Sequence, residues 1–272
     1  MADLLIHSMA EFEPIILEAL AIAEAATIVE IGAEFGGTTP LLADHAATLG
    51  GTLTSIDPTP KQEFLDWVAA NGHVRHLAVP SLDAIDGLQH VDAWTIDGDH
   101  NWYTVYHELQ AIDRVCRRDG KPLLAFLHDI HWPCARRDFY YAPDRIPEVF
   151  RHPHDFDGGV VPGRSELLPF AGYRGMGQFA WARHEGGPRN GVLTAVEDFI
   201  AGAGRDLAFA EVPAVFGLGI LFDQDAPWSE ALGQFVLPYH QHPLLASLER
   251  NRLANYLKVI ELQEALAMKA AA

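Results

Sequence analysis

Cysteine is scarce in this chain. Two occur in 272 residues, Cys116 and Cys134. That is too few for a disulfide framework, and a reduced, cytoplasmic setting is expected. Positive charge is also scarce. Nineteen Lys and Arg stand against 37 Asp and Glu, a formal net charge of −18. Such a field repels phosphate backbones, so no nucleic-acid partner is expected. The charge reads as a solubility device. No run reaches the roughly 18 apolar residues needed to cross a bilayer, which argues against a membrane span. The opening segment, Met1 to Pro14, has no basic stretch ahead of an apolar one, so no secretory signal is expected. Internal repeats and low-complexity segments are missing as well.

Apolar residues are plentiful, at 49%. That suffices for one large α/β domain, or one domain with a sizeable insertion. Histidine is plentiful too, with 14 residues. Several fall between His128 and His154, near Asp129, Asp155 and Asp157.

Periodicity predicts a helix over 11–26, where Ile15, Ile16, Leu20 and Ile22 recur near helical spacing. Short β-branched or apolar runs predict strands at 27–31, 52–56, 73–79, 91–96 and 122–127. Helices are predicted between them at 39–49, 61–70 and 100–118, the first opening on Pro40. Strands and helices that alternate in this way predict a parallel, doubly wound sheet. The periodicity breaks at Asp129. The stretch 130–188 is rich in Pro, Gly, Arg, His and aromatics, and so long an irregular segment with that many aromatics reads as a lid or substrate cap. A helix at 191–200 and strands at 207–212 and 215–222 follow, joined by a tight turn that suits antiparallel pairing. An amphipathic helix over 244–268 would cover the sheet or mediate a homodimer. The expected fold is therefore α/β, a Rossmann-like doubly wound sheet of seven strands. It is mostly parallel with the last strand antiparallel, and carries a cap insertion and a C-terminal helix. The expected divisions are 1–26, 27–129, 130–189, 190–223 and 224–272.

The first strand runs into VEIGAEFGGTT, Val29 to Thr39. Gly32 and Gly36 bracket a sharp turn, where a side chain would keep a ligand off the backbone. The loop feeds a helix N-terminus, whose free N–H groups suit an anionic group. Dinucleotide sites use Gly-x-Gly-x-x-Gly; here the spacing is Gly-x-x-x-Gly-Gly, with acidic Glu30 ahead of it. A pyrophosphate is disfavoured beside that carboxylate, whereas the amino group of S-adenosylmethionine (SAM) tolerates it. Asp57 ends the second strand, where a carboxylate accepts hydrogen bonds from ribose hydroxyls; its alternative role is to cap the next helix. Ser81, after the third strand, is placed near the adenine.

These features resemble the first motif of class I SAM-dependent methyltransferases. The segment IDGDHNWYTVYHEL, Ile96 to Leu109, sharpens the resemblance. Together with SIDP and LHDIHWP, it resembles the group containing cephalosporin hydroxylase-like and macrocin O-methyltransferase-like enzymes, over about residues 25–222. The stretch from His128 through Phe199 also looks like a bacterial subgroup that implies a fold and no substrate.

The resemblance implies SAM as cofactor, bound by Glu30, Gly32, Glu34, Gly36, Thr38, Asp57, Ser81 and Asp97. It also implies a divalent metal on Asp97 and Asp129, with Asp99 as general base. His128 stands where the resemblance expects an acid. Imidazole suits zinc, iron, nickel or manganese better than magnesium, so the metal is one of these or is absent. The expected catalytic set is Asp99, His100 and His128, and the expected metal set Asp97, His128 and Asp129.

The run RRDFYY, Arg136 to Tyr141, would grip an acidic or sugar-like acceptor, or would be a loop paired internally through Asp138 and Asp144. His152, His154, Asp155 and Asp157 read as solvated loop residues more readily than as a second metal site. Methyl transfer to a hydroxyl needs a base or a metal. The expected activity is thus O-methylation of a small molecule of natural-product or sugar metabolism. Cyclisation or N-methylation from the same cofactor, an NAD-dependent oxidoreductase and a non-catalytic SAM-binding protein are the rival readings.

Overall fold

The computed structural model describes residues 8–169 and 171–271. Residues 1–7 of the expected N-terminal segment lie outside the described residues.

The chain enters through a 3-10 turn, Met9–Phe12, in which the Ser8 side chain accepts from the Ala10 N–H. Helix α1 (Glu13–Ile22) follows. It stops four residues short of the expected end, because Glu24 takes a positive φ of 50°. The alternating unit then runs β1 (Thr27–Ile31), α2 (Thr39–Thr48), β2 (Thr52–Ile56), α3 (Gln62–Ala70), β3 (Val74–Leu77), α4 (Ser81–Ala84), β4 (Ala93–Ile96), α5 (Trp102–Asp119) and β5 (Leu124–His128). Asn101 caps α5 by accepting from Thr104 N–H, and Gly120 closes it in a left-handed conformation.

An insertion follows, built of six strands of two or three residues: β6 (Phe139–Tyr140), β7 (His154–Asp155), β8 (Gly158–Val160), β9 (Leu168–Pro169), β10 (Tyr173–Arg174) and β11 (Ala180–Ala182). They pair as two small sheets, β10-β8-β9 and β6-β11-β7. The chain returns through α6 (Val192–Gly202), β12 (Leu207–Val212), β13 (Leu218–Asp223), α7 (Ser229–Val236) and α8 (Pro243–Ala271). Helix α7 was not legible in the sequence reading. Its eight residues form one short amphipathic segment flanked by prolines.

The main sheet has seven strands in the order β12-β13-β5-β4-β1-β2-β3. All pairings from β3 to β5 are parallel, and β13 is antiparallel to both β5 and β12. Strand order reverses between β1 and β4, the place where an open α/β sheet leaves a crevice beyond its carboxyl ends.

Side chains alternate between two buried layers. Val29, Ile31, Trp94, Ile96 and Leu127 pack with α5 and α6. Ile28, Leu53, Phe126 and Ile220 pack with α1 and α2. This period of two decides where the polar residues go. It puts Glu30 on the Ile28 layer, and His128 on the layer of Leu124 and Phe126, where Phe12 meets the His128 ring edge-on at 6.0 Å.

The turn between β12 and β13 is longer than expected, since β13 starts at Leu218 rather than Val215. Val215 and Phe216 both hold positive φ, 44° and 64°, a conformation that non-glycine residues adopt only when their surroundings impose it. Buried Glu249 of α8 supplies that restraint by accepting the Val215 and Phe216 N–H groups, each at 3.0 Å. The C-terminal helix therefore clasps this turn, and Phe216 packs with Leu253 and Tyr256.

Candidate active site

Gly32 and Asp57 set the backbone of the crevice. Gly32 has φ 89°, and a Cβ there would lie 2.3 Å from the Asp97 carbonyl oxygen and 2.6 Å from Gly98 Cα. Glycine is thus required by the close approach of the β1 and β4 ends to one another. The sequence reading had instead assigned it to ligand access. Asp57 Oδ2 accepts the Ala33 and Glu34 N–H groups at 3.1 and 2.8 Å, and Oδ1 accepts Thr59 N–H at 2.8 Å. It does not cap α3, which starts at Gln62; it ties the β1–α2 loop to the end of β2.

Glu30 lies beneath that loop. Its Oε2 accepts the Thr39 and Ser55 hydroxyls at 2.7 and 2.8 Å, while Oε1 is buried with no partner among the described residues. Burial pushes its pKa up to about 7, against the lowering effect of the two hydroxyls. Glu30 was expected among the cofactor-binding residues; strand alternation turns it under α2, and it is not among the residues lining the cavity described next. Gly36, whose φ is 82°, packs against the Phe64 ring, and Thr38 begins α2 without a side-chain cap. These two residues shape the loop and do not line the cavity.

A cavity of about 770 Å³ opens beside these groups, within the range of small-molecule sites. Gly32, Glu34, Asp57, Ser81 and Asp97 line it, together with Asp99 and Thr104. Expected cofactor residues that follow four strands, β1 to β4, thus converge on one cavity. The insertion adds Tyr141 and Arg145 to its wall.

Asp99 Oδ2 accepts Asn101 Nδ2 at 2.6 Å and Thr104 Oγ1 at 2.9 Å, and Oδ1 is buried without a partner among the described residues. Burial raises its pKa. His100 Nδ1 sits 3.3 Å from Asp129 Oδ2, and its ring meets Phe139 edge-on. Asp129 has φ 58°.

His128 is placed differently from its expected metal role. Its Nδ1 lies 3.0 Å from Asp97 Oδ1, and its Nε2 lies 2.8 Å from the Val215 carbonyl. A carbonyl only accepts, so Nε2 carries a proton and no lone pair is left there for a metal. Burial pulls the ring's pKa down, but Asp97, Asp129 and the Val215 carbonyl outweigh it and lift it to about 9. The three donors that do converge are Asp97, His100 and Asp129, with ligand atoms within 4.8 Å of one another. His128 contacts the Asp97 member of this cluster, and His100 supplies its imidazole.

The other candidate clusters separate. Arg136 pairs with Glu197, and Arg137, 1% exposed, donates to the carbonyls of Ala182, Arg164 and Ser165. Of RRDFYY, only Tyr141 reaches the cavity. His152 binds the Arg189 carbonyl at 2.8 Å. Asp155 accepts from Asp157 and Gly158 N–H and faces Arg183. These residues tie loops together.

Glu108 was missed by the sequence reading. It is fully buried on α5, accepts the Ser81 hydroxyl on Oε1 and lines the cavity. Its signal was present: residues 104, 105, 108, 109, 112 and 116 recur at helical spacing, and an acid on an otherwise apolar stripe is out of place there.

Residues 29–130, less than half of the chain, match a family model described as a methyltransferase domain. No curated protein matches the sequence at a significant level. Among solved structures, the chain is similar to an O-methyltransferase from Bacillus cereus in complex with SAH, at 14% identity and TM-score 0.48, covering 82% of this chain and 86% of that one. It is similar to the SAH-bound methyltransferase PaMTH1 of Podospora anserina at 12% identity and TM-score 0.46, covering 78% of each chain. It is also similar to cofactor-bound Rv0187 from MTB at 15% identity and TM-score 0.46, covering 82% and 83%. At such identities none of these proteins transfers a substrate or a residue role. No helix among the described residues is long and apolar enough to cross a membrane. The sheet order and the crevice between β1 and β4 give the chain a Rossmann-like α/β fold, and residues 29–130 of that fold match the methyltransferase-domain model.

Proposed function

We propose that this protein transfers the methyl group of SAM to an oxygen atom of a small-molecule acceptor. The observation that carries the reading is the cavity at the strand ends. It runs from Asp57 and the glycine loop to Asp97 and Asp99, and Asp97 also belongs to the Asp97–His100–Asp129 cluster. In this reading Asp57 holds the ribose at one end of the cavity and the Asp97–His100–Asp129 cluster takes the acceptor's proton at the other.

A sulfonium methyl is already electrophilic. The protein has to align the acceptor and take its proton. The His100–Asp129 pair has the arrangement of an oriented base: the carboxylate faces Nδ1 and leaves Nε2 to receive a hydroxyl proton. Residues 130–189 form the acceptor cap in this reading, with Tyr141 and Arg145 at the cavity wall.

The same three side chains also fit a divalent cation. Two carboxylates and one imidazole are a donor set suited to manganese, iron, nickel or zinc, and Asp97 keeps its second oxygen clear of His128. Such an ion, when bound, supplies Lewis acidity that lowers the pKa of an acceptor hydroxyl. Natural-product and sugar hydroxyls are the acceptor class proposed.

Calorimetry with SAM and with S-adenosylhomocysteine, followed by mass analysis of turnover with an acceptor panel, tests the reading. S-adenosylhomocysteine is the expected product, whereas methylthioadenosine would indicate cyclisation. Asp57→Ala is expected to weaken S-adenosylhomocysteine binding at least about tenfold, the scale of lost hydrogen bonds to a charged group. The reading fails if neither nucleoside gives heat or a thermal shift with the wild-type protein.

A further inference from the structure

Glu108 has no role in the chemistry above, yet it occupies a costly position. Its side chain is 0% exposed. One carboxyl oxygen accepts the Ser81 hydroxyl, and the other is buried with no partner among the described residues. A buried polar atom left in that state costs free energy unless a ligand satisfies it. Both Glu108 and Ser81 line the cavity that also reaches Asp57, with Pro80, Leu82 and Thr104 beside them. With the ribose at Asp57, the base of the nucleoside extends toward these residues.

The chemistry of the group names its partner. Burial lifts the Glu108 pKa to about 8, so at neutral pH the side chain is mostly the uncharged acid. It then offers an O–H donor on one oxygen and an acceptor on the other. Adenine presents the complement: a ring nitrogen that accepts, beside an exocyclic amino group that donates. The Ser81 hydroxyl fixes the carboxyl's orientation and occupies only one lone pair of its acceptor oxygen.

Resting on the SAM reading, we propose that Glu108 is a specificity-determining residue that reads the amino-bearing edge of the purine, with Ser81 as its positioning residue. The wider consequence is selectivity for a 6-aminopurine nucleoside over purines that lack the amino group.

The test compares S-adenosylhomocysteine with its analogue lacking the 6-amino group, titrated calorimetrically at neutral pH. Wild-type protein is expected to bind the analogue about tenfold or more weakly. Glu108→Met, of similar length and without hydrogen-bonding groups, is expected to bring the ratio of the two affinities close to one. Its thermal midpoint should stay close to that of wild type, because the loss of the Ser81 hydrogen bond is offset by removal of a buried, unsatisfied carboxyl oxygen. Ser81→Ala deletes only the orienting hydroxyl and is expected to lower the ratio as well, so it serves if Glu108→Met does not fold. An unchanged ratio in a folded variant overturns the proposal while leaving the SAM reading intact. Absence of binding by wild type to either compound overturns both.

Discussion

The half of the molecule from β1 to β5 and the insertion that follows it solve the same problem in opposite ways. Both must satisfy buried backbone groups. In the first half, five strands form parallel ladders, and apolar residues fill both faces of the sheet. The insertion has strands of only two or three residues, too short to satisfy its own backbone. Buried polar side chains take over. Arg137 binds backbone carbonyls. Asp138, fully buried, accepts Trp102 N–H and Gly191 N–H, each at 2.7 Å, and the Tyr140 hydroxyl at 2.7 Å. Asn190 accepts Asp138 N–H and donates to the His184 and Gly186 carbonyls. A ladder tolerates substitution because its bonds come from the backbone. A polar clasp concentrates the same duty in a few side chains, and Asp138 joins the insertion directly to the start of α5, beside the candidate site.

The contrast is open to measurement. Phe126→Ala removes a fully buried ring from the centre of β5 and is expected to destabilise by about 3–5 kcal/mol. Both regions should unfold together in denaturant; separate transitions would mean that the insertion folds independently. Asp138→Ala leaves three donors without an acceptor and is expected to cost about 3 kcal/mol. Here hydrogen exchange should rise across 131–190 while β1 and β4 stay protected. A loss spread evenly over the chain would erase the distinction.

Glu30→Gln is expected to stabilise, by about 1–2 kcal/mol above pH 7. The sign follows from linkage. Between pH 4.5 and about 7 the folded state keeps a proton on Glu30 that the unfolded chain has lost, so wild-type stability falls as pH rises through that window. The variant's advantage, followed by thermal midpoint, should vanish near pH 4.5 and reach its full value above pH 7. A constant difference across pH would refute the buried, proton-retaining state of Glu30. Arg136→Ala removes a half-exposed pair with Glu197 and is expected to change stability by about 0.5 kcal/mol or less. Arg136 and Arg137 are neighbours in sequence, and a similar small effect at Arg137 would contradict the clasp.

The same contrast explains what was legible beforehand. β1, β2 and β12 were expected at the residues where they occur, because β-branched and apolar runs bounded by Gly, Asp or Pro mark buried strands. Asp57 and Ser81 were placed from strand ends and Asp97 from the family resemblance, and all three line the cavity. Glu30 was expected at the cofactor, and its side chain is turned under α2 while the next residue, Ile31, lines the cavity. A change of sheet face by one residue separates these neighbours in sequence. His128 was expected among the metal ligands, and its ring lies against Asp97 while its Nε2 is held by the Val215 carbonyl. Nothing in RRDFYY distinguishes the half-exposed Arg136 from the buried Arg137; only the carbonyls brought in from residues 164, 165 and 182 do so.

By itself, the sequence determined the alternation of strand and helix, the seven-stranded sheet and the strand ends that carry carboxylates, because those follow from local periodicity and turn chemistry. Tertiary structure alone decided which side chains meet: His100 with Asp129, His128 with Asp97 and Val215, Glu108 with Ser81. Those encounters join residues as many as 87 positions apart, and no local pattern encodes a distance across the crevice.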